Sequence, residues 1–259
     1  MNIYKDYTGS SLLFNKPCKI DDKCTIYPIS IKDYNKFMKY ANYLTLSRKQ
    51  LNLTDESKLL QTMIIVSITS INNGSIDLTN NNSIICMNKV LNDLCELFTI
   101  LTRVKLKHKI SKNGGFEFVG EGIVIDDNNY DNLRDVALKL SLLKEPKVFK
   151  DKLTQKWYNK ALIAKQKNQP NLELEDIITI VSQDMKIPFK EMEEMNIVQL
   201  YTYYCRITSR DNYDKIMNFK LVSDKMPNVN FSDSIIEKLY KDDDSDLYID
   251  GSSLSKMVT

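Results

Sequence analysis

The sequence predicts an α+β protein that is predominantly α-helical, a helical bundle carrying a small antiparallel β meander and hairpins. Three observations predict it. Apolar residues recur at three- and four-residue spacing through most of the chain, the signature of amphipathic helices. Four of the seven glycines fall between residues 114 and 122, beside two short runs of alternating apolar residues, so the backbone turns hardest there. An apolar fraction of 42% over 259 residues is enough to build a core.

Residues 12–27 predict a hairpin, with Asp21-Asp22 as its tight turn and Cys18 and Cys24 on facing strands. In a reducing compartment those two read as half-buried thiols rather than as a bridge. Ser30, with Asp33 three residues on and Pro28 just outside, is expected to cap a helix. That helix would present Tyr34, Phe37, Met38 and Ala41 and run to about Leu46. A second helix is expected after Thr54, presenting Leu59, Leu60, Met63, Ile64 and Ile68 as far as Asn72-Asn73-Gly74. The Asn- and Ser-rich residues 72–83 read as a loop. A third helix, near Met87 to Arg103, presents Val90, Leu91, Leu94, Phe98 and Leu101.

From Val104 the period changes to two. Leu106, His108 and Ile110 alternate with lysines, Asn113-Gly114-Gly115 turns, Phe116 and Phe118 alternate again, and Ile123-Val124-Ile125 follows Gly120 and Gly122. This is the meander. Asp126 to Asn129 is expected to cap a helix through Tyr130, Leu133, Val136, Leu140 and Leu143, stopped by Pro146. Residues 147–168 read as a lysine-rich helix holding the only tryptophan, Trp157, and Gln169-Pro170-Asn171 breaks it. Leu172 to Met217 follows in two apolar helical blocks, separated by Ile187-Pro188-Phe189, where the proline ends one helix and suits the start of the next. A short helix around Ser234 to Tyr240 precedes the tail.

Composition excludes more than it selects. Thirty-six basic and 34 acidic residues leave a formal charge of +2, too balanced for a general nucleic-acid binder. Five cysteines, and a start without a charged n-region or apolar h-region, fit synthesis in a reducing, intracellular site. No apolar run approaches the roughly 18–20 residues of a spanning helix, which argues against a membrane partner. The single histidine, His108, lies in a strand pattern and reads as a sheet-face or core residue rather than a general base. No serine lies near a histidine or in a glycine-flanked elbow. Cys18 and Cys24 lack a second pair at zinc-site spacing. Asp242, Asp244 and Asp246 alternate as in an EF-hand loop, but Leu247 stands where glycine is needed and Ser253 where glutamate is. The glycines near 114–122 are not followed by a phosphate-binding helix start. No cofactor and no metal is therefore expected.

Two basic stretches, Lys105 to Lys112 and Lys147 to Lys167, hold no arginine, the usual reader of base edges, which argues against nucleic acid; the second could dock an acidic protein surface. The Met and Tyr side chains at Met185, Met192, Met195, Tyr201, Tyr203 and Tyr204 suit an adaptable protein-binding surface or a thick core, and the pattern does not separate the two.

The order of the pieces resembles a family of bacteriophage tail-morphogenesis proteins from phages of low-GC Gram-positive bacteria. The shared marks are Ile26-Tyr27-Pro28, the helix ending at Leu44 to Ser47, Phe116-x-Phe118, and the helix start from Ile125 to Arg134. In the C-terminal half they are Leu174 to Ile178, Met195-Asn196-Ile197-Val198-Gln199-Leu200, and Tyr213-Asp214. Each is a helix or strand signature, and the order carries the weight. The tail after residue 241 departs from the family's pattern. The resemblance implies a tail assembly chaperone or related assembly factor, which covers an aggregation-prone surface of a tape-measure or tube protein, in the host cell cytoplasm or carried into the virion.

These observations set the expectations. Residues 1–146 form an N-terminal helical domain with hairpin and meander, 147–240 a C-terminal helical partner-binding region, and 241–259 an acidic flexible tail. The protein is expected to be a non-enzymatic tail assembly factor whose partners are tail proteins, with self-association left open. Candidate contacts are Met195, Ile197, Tyr201, Tyr203 and Tyr204. The alternatives are a minor virion component, or an inhibitor of a host or defence protein.

Overall fold

A computed structural model describes residues 9–54, 57–72, 81–111, 114–167, 172–221 and 235–240. The acidic tail, the Asn-rich residues 73–80 and the Gln169-Pro170-Asn171 break lie outside the described residues. In chain order the elements are α1 (Gly9–Leu13), β1 (Cys18–Asp21), β2 (Cys24–Ile26), α2 (Ile31–Met38), α3 (Asn42–Thr45), α4 (Leu59–Asn72), α5 (Asn81–Thr102), β3 (Lys107–Ile110), β4 (Phe116–Gly120), β5 (Ile123–Ile125), α6 (Tyr130–Leu140), α7 (Lys152–Lys167), α8 (Leu174–Met185), α9 (Phe189–Met192), α10 (Ile197–Lys220) and α11 (Ile235–Tyr240). The fold is α+β and mostly helical, with two small antiparallel sheets, β1–β2 and β3–β4–β5.

α5 is the central helix. Its buried face, Val90, Leu91, Leu94, Phe98 and Leu101, packs against α2, α4, β2 and β3. The ring of Phe98 meets Phe118 of β4 edge-on at 4.9 Å and Tyr130 of α6 at 6.1 Å, so helix, meander and α6 share one aromatic node. The Gln61 amide clamps the end of β4: Phe116 N–H donates to Gln61 Oε1 (2.9 Å) and Gln61 Nε2 donates to Phe116 O (3.0 Å). Gly120 is required by its neighbours, because a Cβ there would come within 2.5 Å of Leu106 Cδ2 and 2.8 Å of the Lys105 carbonyl. Gly114 and Gly122, at φ +78° and +72°, take the left-handed turns of the meander.

Several expected boundaries move, each for a local reason. The first hairpin is confined to residues 18–26, because Leu12 and Leu13 are helical; its turn is Asp22-Lys23, with Lys23 N–H donating to Asp21 Oδ1 at 2.7 Å. Cys18 faces Ile26 and Cys24 faces Asp21, and both are buried free thiols. The helix expected from Ser30 to Leu46 is two, broken at Lys39 to Ala41 without glycine or proline. Ser30 sits at its cap position, but its hydroxyl donates to Asp33 Oδ2 (2.7 Å) instead of accepting a helix N–H. Thr54 is not a cap either: its hydroxyl pairs with Ser57 and α4 begins five residues on, at Leu59. α5 starts at Asn81 rather than Met87, with Ser83 buried and bonded by Asn72 Nδ2 (3.0 Å). α6 stops at Leu140, before Pro146, because Leu142 turns left-handed (φ 56°) and Leu143 N–H closes onto Leu138 O at 2.9 Å. Ile110 is exposed, as burial along Leu106, His108 and Ile110 fades toward the hairpin tip.

The apolar core runs unbroken past residue 146. Ile177, Val181, Met192, Val198, Leu200 and Ile207 belong to the same cluster as Leu12, Ile29 and Leu44. α7 is the exception: none of its residues is buried or packs on that cluster among the described side chains.

Candidate partner interface

The C-terminal helices are built by local signals. At the start of α8, Glu173 N–H donates to Asp176 Oδ2 (3.0 Å). Its end is a left-handed Lys186 (φ 54°), with Ile187 N–H on Ser182 O and the Ser182 hydroxyl donating to Ile187 O at 2.7 Å. Pro188 then precedes the four-residue α9. α10 opens on a capping box: Gln199 N–H donates to Asn196 Oδ1 and Asn196 N–H to Gln199 Oε1, each at 2.8 Å.

Those two cap residues also lock the halves of the chain together. Asn196 Nδ2 donates to Leu12 O (2.8 Å) and Asn15 Oδ1 (2.7 Å), and Gln199 Nε2 donates to Leu13 O (2.6 Å). Backbone bonds continue the seam, Ile31 N–H to Met195 O (2.8 Å) and Ile197 N–H to Ile29 O (3.2 Å). Further along, Arg210 Nη2 reaches Asp184 Oδ1 at 2.6 Å and holds that carboxyl below the usual carboxylate range.

Each expected contact residue now has a place. Ile197 has 0% exposure and is a core residue, so it is not a surface contact. Met195 is half-buried and its carbonyl is spent on Ile31. Tyr201, Tyr203 and Tyr204 are half-buried and all pack against the core, because α1, α8 and α11 surround α10 on several sides. Burial is the main cause that pushes the Tyr201 hydroxyl up, with Cys205 and Tyr204 adding to it. Of the methionines, Met192 is buried and Met185 is 42% exposed.

Large apolar side chains are exposed elsewhere, some of them in the N-terminal half at Phe14, Ile85 and Ile110. Phe189 (60% exposed) opens α9, Phe219 (58%) and Leu221 (84%) end α10, and Leu153 (61%) and Trp157 (62%) stand on α7. The sequence held one sign of this. Leu153 and Trp157 are four apart inside a lysine-rich stretch, an apolar stripe on a helix otherwise read as a wet face.

Two polar clusters were missed. Cys95 Sγ lies 3.9 Å from His108 Nδ1, a pair separated by 13 residues, but burial raises the Cys95 thiol, opposite to what an activated thiolate needs. A cleft of about 370 Å³ is lined by Arg48, Lys49 and Arg134 against Asp131, Asp135 and Glu145. Arg48 pairs with Asp131, and the buried Arg134 with Glu145, tying α6 to the segments on either side. Three bases face three acids, so the cleft has no net sign with which to select an ion. No group of three or more metal-ligating side chains occurs among the described residues. Among those residues no helix is long and apolar enough to cross a membrane.

Residues 165–235 match the family model described as the YomV second domain. The matched span takes in α8, α9 and α10 and covers less than a third of the chain. Comparison with curated proteins and with solved structures gave no match. The matched domain points to a phage-associated family.

Proposed function

We propose that this protein is a non-enzymatic phage tail assembly factor, chaperone-like, that binds a tape-measure or tube protein in the host cell cytoplasm during tail building. The observation that carries the reading is the set of large apolar side chains left exposed on α7 and at the ends of α9 and α10, on a body whose core is otherwise closed. Exposed apolar surface of this kind marks interaction sites. The match to a phage-type domain across α8 to α10 agrees with it.

The test is affinity purification of the tagged full chain from phage-infected cells, with purified particles assayed for the same chain. The expected result is co-purification of a long tail protein and absence of the chain from finished particles. A fixed copy number in particles overturns the chaperone reading in favour of a virion component. A host protein as sole partner overturns both.

A further inference from the structure

α7 is built by its own neighbourhood. Asp151 caps it, accepting from Thr154 N–H and the Thr154 hydroxyl, both at 2.7 Å, and these bonds hold its carboxyl below the usual range. Gln155 ties it back to the preceding loop through Phe149 N–H (2.9 Å) and Lys147 O (3.3 Å), and the Tyr158 ring packs tilted against Phe149 at 5.2 Å. Leu153 and Trp157, one turn apart, lie 61% and 62% exposed. Lys152, Lys156 and Lys160 form the adjoining ridge at four-residue spacing. The whole helix has five lysines and no acid. Lys160 lies over the Trp157 ring at 5.1 Å; Lys152 and Lys156 make no ion pair among the described residues.

We propose that this face of α7 docks an acidic amphipathic helix of the partner protein, with apolar side chains against Leu153 and Trp157 and carboxylates opposite Lys152, Lys156 and Lys160. The inference rests on the assembly-factor reading for the partner's identity. Charge selects the occupant. A second copy laid α7 to α7 would set lysines against lysines and carries no complement for them. A nucleic acid would answer the lysines but leave the leucine without an apolar counterpart, and α7 holds no arginine to read bases. An amphipathic acidic helix satisfies the apolar stripe and the basic ridge together.

Trp157 is the only tryptophan, so intrinsic emission reports on this face alone. The full chain is titrated with a synthetic helical peptide carrying leucines on one face and glutamates on the other. The expected result is a saturable shift of emission to shorter wavelength. Lys156→Glu in the protein, or lysine for glutamate in the peptide, is expected to weaken it about tenfold or more. No saturable shift, or equal binding of the lysine peptide, overturns the proposal. So does a shift given by phosphatidylserine vesicles or duplex DNA but not by the peptide, or one produced by concentrating the protein alone. Leu153→Ala with Trp157→Ala leaves the core untouched, and this variant should lose the peptide as read by calorimetry.

A photo-crosslinker placed at position 157 separates this proposal from the reading it rests on. In infected cells it should capture an acidic segment of the tail protein. Recovery of the tail protein by the tag without a crosslink from position 157 overturns the docking proposal and leaves the assembly role. Peptide binding with no tail protein recovered overturns the assembly role alone.

Discussion

α10 and α7 are both amphipathic helices of the C-terminal half, and they are held in opposite ways. The first turn of α10 is bonded to Leu12, Leu13 and Asn15, more than 180 residues away, and its apolar residues Ile197, Val198 and Leu200 have no exposure. α7 is bonded to residues 147–151 just before it, and its large apolar residues Leu153, Trp157 and Ile163 are exposed. Helical periodicity announces a face to be covered without saying what covers it. For α10 the chain itself does. For α7 nothing among the described residues does.

One chemical change made in both helices should separate them most strongly. Leu200→Ala is expected to lower stability by about 2–5 kcal/mol in urea unfolding, the range for deleting a fully buried leucine. Asn196→Ala comes next, at about 2–4 kcal/mol, since it removes an N-cap, strips the Gln199 N–H of its partner and leaves the Leu12 carbonyl only the long bond from Asn15 N–H (3.5 Å). An equal loss from the matching substitution in α7 would sink the distinction.

The buried side of the molecule also has a pH signature. Burial raises the Cys24 thiol from its ordinary 9.0 to about 12, with Asp21 and Cys18 contributing, and burial raises Cys18 too. The unfolded chain loses these protons near pH 9 while the fold keeps them. Between pH 9 and 12 the unfolded state therefore binds fewer protons, so stability is full below about 9 and falls as pH rises. The slope is at most about 1.4 kcal/mol per pH unit per thiol. Denaturation midpoints measured across that window check it, and the decline should shrink in Cys24→Ala relative to its own value at pH 8.

Much of this architecture was legible. Period-3.6 runs placed α4, α5, α6, α8 and α10, and the glycines placed the meander. What was not legible depended on partners distant in sequence. The break at Lys39 to Ala41 carries no glycine or proline, and the polar start of α5 is helical with Ser83 buried and bonded to Asn72. The Met195-to-Leu200 motif, which holds two of the expected contacts, Met195 and Ile197, is the internal seam, because Asn196 and Gln199 spend their amides on α1 and the residues after it. Composition describes what a face can bind, and topology decides whether the chain has already bound it.

On α7 the smaller effects run the other way. Lys152, Lys156 and Lys160 repel along one ridge, so Lys156→Glu should stabilise the helix by about 0.5 kcal/mol, seen as greater protection of α7 amides in hydrogen exchange. The same substitution is expected to weaken capture of an acidic peptide about tenfold or more, so that the ridge costs its own helix stability and serves the docking.

The smallest expected effect completes the contrast with Leu200. Leu153→Ala combined with Trp157→Ala should move the urea midpoint by less than about 0.5 kcal/mol, since neither side chain touches the core and alanine is the better helix former. Identical leucine-to-alanine chemistry would then differ by several kcal/mol between two helices of one molecule. If Leu153→Ala proved costly, α7 would have to be packed in solution against something, either the chain's own remaining residues or a second copy. Dilution would separate those two, because only a second copy makes the cost depend on protein concentration.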